Sequence, residues 1–105
     1  MILFLKLIIG HFLCDYPLQG DFLAAAKNHN KPIPGVPWYQ ALAAHSAIQA
    51  GMVWLVTGRL WLAGVEFALH AFTDYMKSDG RISFNADQAL HLACKAAYVA
   101  ILAAL

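Results

Sequence analysis

Long apolar stretches of this chain are separated by three segments that are richer in polar residues, proline and glycine. Apolar runs of this length that are bounded by turn-forming residues predict helices. We expect four such helices, over residues 1–15, 38–57, 60–76 and 86–105. Three prolines and a glycine exclude a helix from residues 28–37, and Gly58 with Arg59 predicts a tight turn between the second and third helices.

The region around the end of the first helix differs from the rest. Pro17 restricts the backbone of the residue before it, so this helix is expected to end near Asp15. About 15 residues span only ~22 Å, which is less than a hydrocarbon core of ~30 Å. Residues 18–27 form an amphipathic segment that we expect at the membrane interface. The predicted fold is all-α: an integral membrane four-helix antiparallel bundle with a short first helix, followed by an interfacial helix and loop, in one domain over residues 1–105.

The overall composition supports a membrane location. The chain has 105 residues, enough for one domain, of which 61% are hydrophobic and 12% charged, and its mean hydropathy is +0.57. These values lie outside the range of ordinary soluble domains and are typical of small integral membrane proteins. The net charge of +1 excludes the basic field on which nucleic-acid binding depends. The lipid bilayer is therefore the expected partner, and no nucleic acid is expected.

Basic residues are distributed unequally between the two ends of the predicted bundle. In four antiparallel helices the first and third connections lie on one side of the membrane, and these carry Lys27, Lys31, Lys77 and Arg81. The other side has only Lys6 and Arg59. Because loops rich in lysine and arginine remain in the cytoplasm, we expect a multi-pass protein of the cell inner membrane with both termini outside.

Ionisable residues interrupt the apolar helices at helical spacing. They form the sets His11/Asp15, Glu66/His70/Asp74 and Asp87/His91, with His45 alone in the second helix. Residues four positions apart share one face of a helix. In the predicted topology every set lies toward the cytoplasmic end, so the sets are expected to meet in one polar site. Ionisable groups within a bilayer are costly and indicate a function.

The residue types in these sets suggest a metal centre. Helical bundles hold catalytic metals with imidazole and carboxylate groups from several helices. We predict a divalent transition metal, with zinc favoured and manganese or iron as alternatives. The predicted ligands are His11, Asp15, His45, His70, Asp74 and His91. Glu66 and Asp87 are the predicted catalytic residues, one of them acting as general base. The ligand count allows one ion or two.

Two simpler explanations apply to individual residues of these sets. A single histidine in a membrane helix can merely bond to a carbonyl group of a neighbouring helix. Asp87 lies in the first turn of its predicted helix, where the helix dipole favours a negative charge without any further role. Neither explanation accounts for four histidines, three of which have a carboxylate four residues away.

Several segments of the chain also carry a resemblance to a family. In order along the sequence they are HFLCDYPLQ, AHS, EFALHAFTDYMK and FNADQALH, which begin at residues 11, 44, 66 and 84. In this order and spacing, over nearly its whole length, the chain resembles the small bacterial and phage membrane proteins grouped as domain of unknown function 3307. The resemblance implies no established activity. The motif residues that it implies are His11, Asp15, Gln19, His45, His70, Asp74, Lys77, Asp87, Gln88 and His91. A weaker similarity to predicted membrane-bound metal-dependent hydrolases favours hydrolysis by analogy.

The favoured function is a membrane-embedded metal-dependent hydrolase whose site lies near the cytoplasmic face and acts on a phosphoester or lipid-linked substrate. One alternative is a non-enzymatic path for metal ions or protons, which would need polar residues through the full membrane thickness. Another is a phage-type structural protein, such as a lysis or exclusion factor, that acts by homo-oligomerisation through small-residue faces. The structural alternative would not require the histidines. The sequence leaves open whether the protein is an enzyme.

Overall fold

The computed structural model describes all of residues 1–105 and contains five α-helices and no β-strand. The helices are α1 (Ile2–Asp15), α2 (Gly20–Ala26), α3 (Trp38–Thr57), α4 (Leu60–Ser78) and α5 (Phe84–Ala104). The all-α class that the sequence predicts is confirmed. The four longer helices occupy the four segments expected to be helical, and α2 falls within the segment expected at the membrane interface.

Local sequence signals account for two of the helix boundaries. The hydroxyl of Ser83 accepts a hydrogen bond of 3.0 Å from the backbone N–H of Ala86, which caps α5. Gly58 ends α3 in the left-handed conformation, with a φ of 71°, and its N–H donates to the carbonyl of Trp54. The extended backbone of Arg59 then reverses the chain, so α3 and α4 pack as a helical hairpin.

The four longer helices surround a common interior. α1 packs against α3 and α5, and α4 packs against the same two helices. α2 is bent by 81° from α1 and packs against α3. Each of the four longer helices therefore turns one face toward the shared interior. Residues four positions apart in one helix share that face, so they can meet the corresponding residues of the other helices.

The connection between α2 and α3 folds back onto the end of α4. The imidazole of His29 stacks on the ring of Tyr75, with centroids 3.9 Å apart, and its Nε2 lies 3.0 Å from Oδ1 of Asp79. Hydrogen bonds from Arg81, then from Asn30 and His29, hold the pKa of the Asp79 carboxyl well below its usual range. These contacts anchor the proline-rich connection at the end of the bundle where α4 ends and α5 begins.

The interior has an apolar half and a polar half. Leu7, Val53 and Leu62 belong to an apolar cluster on the side of the turn between α3 and α4. Elsewhere the buried side chains are mainly polar, and more than half of the 23 buried residues are polar or charged. Polar groups are normally a minority in protein interiors, because their burial costs free energy unless they find partners. The polar half therefore depends on specific hydrogen bonds and ion pairs.

The exterior of the bundle carries many large apolar side chains. Leu55, Leu60 and Phe72 are 87%, 63% and 65% exposed. No single helix combines the length and the mean hydropathy of a membrane-crossing segment, although the bent pair of α1 and α2 meets both criteria together. The expectation that the bundle is integral to a membrane, with four spans, stays a prediction.

Gly10 provides a test of the packing between α1 and α3. A Cβ atom at this position would lie 2.6 Å from both Cγ and Sδ of Met52. We predict that Gly10→Ala lowers the free energy of unfolding by about 1–3 kcal/mol, the typical cost of overpacking. Gly64→Ala is the control, because a Cβ there meets nothing within 4 Å and alanine favours a helix over glycine by about 1 kcal/mol. Thermal unfolding compares the two variants, and equal stability would contradict the packing of α1 on α3.

Candidate metal centre

The polar half of the interior is built from helix faces that contribute residues four positions apart. The contributing residues are His11 and Asp15 from α1, His45 from α3, Glu66, His70 and Asp74 from α4, and Asp87 and His91 from α5. All are buried except Asp15, whose side chain is 9% exposed. Contacts of 3.0–3.8 Å join them into one cluster. The structure thus brings together every residue that the sequence predicts for the site.

Four atoms of metal-ligand type from α1, α3 and α4 lie close together within this cluster. Nε2 of His45 and Nε2 of His70 are 3.0 Å apart. Oδ1 of Asp15 lies 3.0 Å from the first nitrogen and 3.8 Å from the second. Oδ2 of Asp74 lies 3.5 Å and 3.4 Å from the same two nitrogens. The ligand atoms of a tetrahedral zinc ion with bonds of ~2.0–2.2 Å lie ~3.3–3.6 Å apart, so shifts of a few tenths of an ångström would bring these nitrogen–oxygen spacings into that range. Asp15, His45 and His70 already place three ligand atoms within 4.8 Å of one another. We refer to Asp15, His45, His70 and Asp74 as the primary set.

Glu66 determines which nitrogen of His70 carries the proton. Nδ1 of His70 lies 3.0 Å from Oε2 of Glu66. Glu66 also accepts hydrogen bonds from Lys95 and Tyr98, at 3.0 Å and 2.9 Å, which stabilise its ionised form. An ionised carboxylate can only accept, so Nδ1 is the donor, and Nε2 of the neutral His70 ring keeps a lone pair, 3.0 Å from Nε2 of His45. Metal-binding histidines commonly have such a carboxylate on their second nitrogen.

A second group of ligand-type atoms lies between α4 and α5. Nε2 of His91 is 3.0 Å from Oδ1 of Asp87 and 3.4 Å from Oδ1 of Asp74. His11 lies beside this group, with its Nε2 3.3 Å from Oδ2 of Asp15. Both this group and the primary set contain three or more side chains close enough to hold a metal ion. Asp74 belongs to both, through different oxygen atoms.

Two glutamine amides orient the carboxylate of Asp15. Nε2 of Gln49, which is fully buried, donates to Oδ1 of Asp15 at 2.8 Å. Nε2 of Gln88 donates to Oδ2 at 2.9 Å, and its carbonyl oxygen lies 3.0 Å from Nε2 of His11. Gln88 is among the motif residues that the family resemblance implies. The side chain of Gln19 instead donates to the backbone carbonyl of Asp15 at 2.9 Å.

Sequence reasoning missed two buried lysines that contact the cluster. Nζ of Lys27 lies 2.7 Å from Oδ2 of Asp74, and Lys27 is only 4% exposed. Lys95 is fully buried, with Nζ 3.0 Å from both carboxylate oxygens of Glu66. A signal for Lys95 existed, because it follows His91 by four residues and so shares its helix face. Lys27 lies at the end of a short helix and had no comparable signal.

A polar cleft of about 270 Å³ opens beside the cluster. Its lining includes Asp15, Gln19, Lys77 and Gln88. Lys77 is partly exposed, and its Nζ lies 3.4 Å from Oδ2 of Asp87. Because Asp15 belongs both to the cleft and to the primary set, the cleft gives a ligand from outside a route toward the cluster.

The fold and this cluster define an α-helical bundle with a buried histidine–carboxylate centre. A family model described as protein of unknown function (DUF3307) matches residues 3–104. The protein belongs to this family, as the motif segments of the sequence predict. No curated protein and no solved structure matches the chain. The family description names no activity, so the function must be argued from the site.

The ion pair between Lys95 and Glu66 provides a second test. We predict that Lys95→Met lowers the free energy of unfolding by about 3–5 kcal/mol, because it leaves a buried carboxylate without its cation. The double variant Lys95→Met/Glu66→Gln should regain most of this loss. Lys31→Met is the control, since Lys31 is exposed. Denaturant unfolding measures all three, and a cost for Lys95→Met no larger than that of the control would contradict the pairing.

Proposed function

We propose that the protein is a membrane-embedded, metal-dependent hydrolase that cleaves a phosphoester or other lipid-linked substrate, with zinc as the favoured ion. The observation that carries this proposal is the primary set, in which Nε2 of His45 and Nε2 of His70 lie 3.0 Å apart and 3.0–3.8 Å from carboxylate oxygens of Asp15 and Asp74. The cleft supports it further, because a hydrolase needs a metal centre that a substrate and a water molecule can reach.

The donor set suits hydrolytic chemistry. Imidazole and carboxylate ligands favour zinc, with manganese or iron as alternatives. A divalent ion supplies Lewis acidity, which polarises a phosphoryl oxygen and makes water easier to ionise. In the proposed reaction the water oxygen forms a new P–O bond and the P–O bond to the leaving alcohol breaks. The proton that the water loses passes through a carboxylate base to the leaving oxygen.

The contacts of the two predicted catalytic carboxylates favour different roles. Both oxygens of Glu66 are occupied by Lys95, and His70 and Tyr98 add further hydrogen bonds. Glu66 is therefore proposed to orient His70 rather than to move protons. Oδ2 of Asp87 faces Lys77, which lines the cleft, so Asp87 is the proposed general base.

The charge balance of the centre favours an anionic substrate. The cluster contains four carboxylates, from Asp15, Glu66, Asp74 and Asp87, and three ammonium groups contact it, from Lys27, Lys77 and Lys95. With neutral imidazoles one negative charge remains, and a single divalent ion would change the balance to one positive charge. In an enclosed, poorly hydrated site an excess positive charge attracts an anion such as a phosphoester.

The distribution of apolar residues supports placement in a membrane. Large apolar side chains cover the outside of the bundle, whereas charged and polar groups fill half of its interior. An exposed apolar surface of this extent marks contact with a membrane or a partner. An apolar groove of about 560 Å³ also runs between α1 and α3, lined by Ile9, Leu13, Ile48 and Leu55 among others. Such a groove would suit the alkyl chain of a lipid-linked substrate.

The orientation in the membrane is testable by cysteine labelling. We predict that the 28–37 and 77–85 connections face the cytoplasm, because the positive-inside preference acts on the loop charges during insertion. In intact cells, with Cys14 and Cys94 replaced by alanine, an impermeant thiol reagent should label Leu105→Cys and not Pro34→Cys. Both should be labelled after lysis. Labelling of Pro34→Cys alone in intact cells would show that the orientation is the opposite of the predicted one. Equal labelling of both variants in intact cells would contradict a spanning arrangement.

Zinc binding and hydrolysis test the centre itself. We predict that the purified protein binds zinc at micromolar concentration and hydrolyses phosphatidic acid in mixed micelles. His70→Ala should weaken zinc binding by more than the ~10–100-fold typical of losing a supporting group, and should abolish the activity. His29→Ala is the control, because His29 contacts Tyr75 and Asp79 outside the cluster. Calorimetric titration measures binding, and absence of zinc binding by the folded wild-type protein would overturn the proposed function.

A further inference from the structure

We propose that the centre holds two divalent ions, with the carboxylate of Asp74 as a bridge between them. This inference rests on the proposed function, because it assumes that the primary set binds a metal ion. It assigns a second ion to Asp74, Asp87 and His91, which together bring three ligand-type atoms close to one another. In this two-ion form Asp87 serves as a metal ligand and no longer as the general base of the single-ion proposal.

The two oxygens of Asp74 face different partners. Oδ2 lies 3.5 Å from Nε2 of His45 and 3.4 Å from Nε2 of His70, within the primary set. Oδ1 lies 3.4 Å from Nε2 of His91, which is itself 3.0 Å from Oδ1 of Asp87. A carboxylate that turns one oxygen to each of two ligand groups has the geometry of a bridging ligand. The short contact of Lys27 to Oδ2 is compatible with bridging, since a carboxylate oxygen can accept at two lone pairs.

The rings of His70 and His91 support two separate ions. They are stacked with centroids 4.0 Å apart and planes inclined by only 17°. An imidazole nitrogen binds a metal in the plane of its ring, so two nearly parallel rings direct their lone pairs along separate planes. The centroid separation of 4.0 Å is comparable to the ~3.5–4 Å between the ions of known two-metal sites. The ring stacking and the contacts of both Asp74 oxygens are thus each compatible with two ions.

Asp15 repeats this arrangement on the opposite side of the cluster. Its Oδ1 faces His45 at 3.0 Å, whereas its Oδ2 faces Nε2 of His11 at 3.3 Å. Gln88 hydrogen-bonds to both His11 and Asp15, and His11 belongs to none of the groups that could hold an ion, so we assign His11 to the surroundings of the second ion rather than to its ligands. The second ion would retain open positions, because Gln88 and Asp15 also line the cleft.

A pair of ions fits the proposed chemistry better than a single ion. Two metals at this separation can stabilise both the attacking and the leaving oxygen of a phosphoryl displacement. The second ion would also add two positive charges to the centre, which strengthens its preference for a phosphoester over a neutral substrate.

Manganese(II) alone is the probe that tests this inference. We expect the wild-type protein to bind two Mn²⁺ per chain and to give an exchange-coupled electron paramagnetic resonance spectrum, which needs two bridged ions. Asp87→Asn should bind one Mn²⁺ and give the simple six-line spectrum of an isolated ion. Asp79→Asn is the matched control, because Asp79 lies outside the cluster, and it should bind two.

The outcomes separate this inference from the proposed function. One Mn²⁺ in the wild type with an uncoupled spectrum would overturn the two-ion proposal and leave the single-ion hydrolase standing. Binding of no Mn²⁺ and no zinc by the folded protein would overturn both. If Asp87→Asn does not fold, His91→Gln replaces it and should show the same loss of one ion. Two uncoupled ions in the wild type would exclude Asp74 as a bridge.

Discussion

The structure depends on the neutralisation of carboxylates in an interior that excludes water. Transfer of a carboxylate from water into a protein interior costs several kcal/mol unless partners compensate for it. Each buried carboxylate in this protein has a charged or hydrogen-bonding partner from another helix: Lys27 for Asp74, Lys95 for Glu66 and Lys77 for Asp87. These partners tie the helices together in one register, because a shift of either helix would separate a buried pair.

The lysines also divide the centre into parts with different chemistry. Lys95 and Tyr98 donate hydrogen bonds to the carboxylate oxygens of Glu66. The remaining contact of this carboxylate, to Nδ1 of His70, therefore serves to position the imidazole ring. Asp15 has no lysine partner: it accepts hydrogen bonds from the amides of Gln49 and Gln88, contacts the imidazoles of His45 and His11, and lies at the cleft. A carboxylate held by amides keeps its negative charge available to a cation, which is the property that a metal ligand needs.

The division of the interior into polar and apolar halves weighs against a conduction path. A relay for protons or metal ions needs polar groups through the whole length of the bundle. In this bundle one half of the interior is apolar, because it is filled by the cluster that contains Leu7, Val53 and Leu62. The polar groups are instead concentrated beside a cleft, as in a site that binds and releases a substrate at one end.

The sequence by itself determined the positions of the helices and the eight residues of the cluster. Both follow from local periodicity, since residues four apart share a helix face and proline and glycine limit the helices. The tertiary structure decided which oxygen faces which nitrogen, how Gln49 and Gln88 hold Asp15, and that Lys27 is buried. The contacts of Gln49 and Gln88 with α1 join residues 34 to 77 positions apart, and they depend on helix packing and on the 81° bend between α1 and α2. Pro17 predicts the break between α1 and α2, but the angle of the bend depends on the packing of α2 on α3.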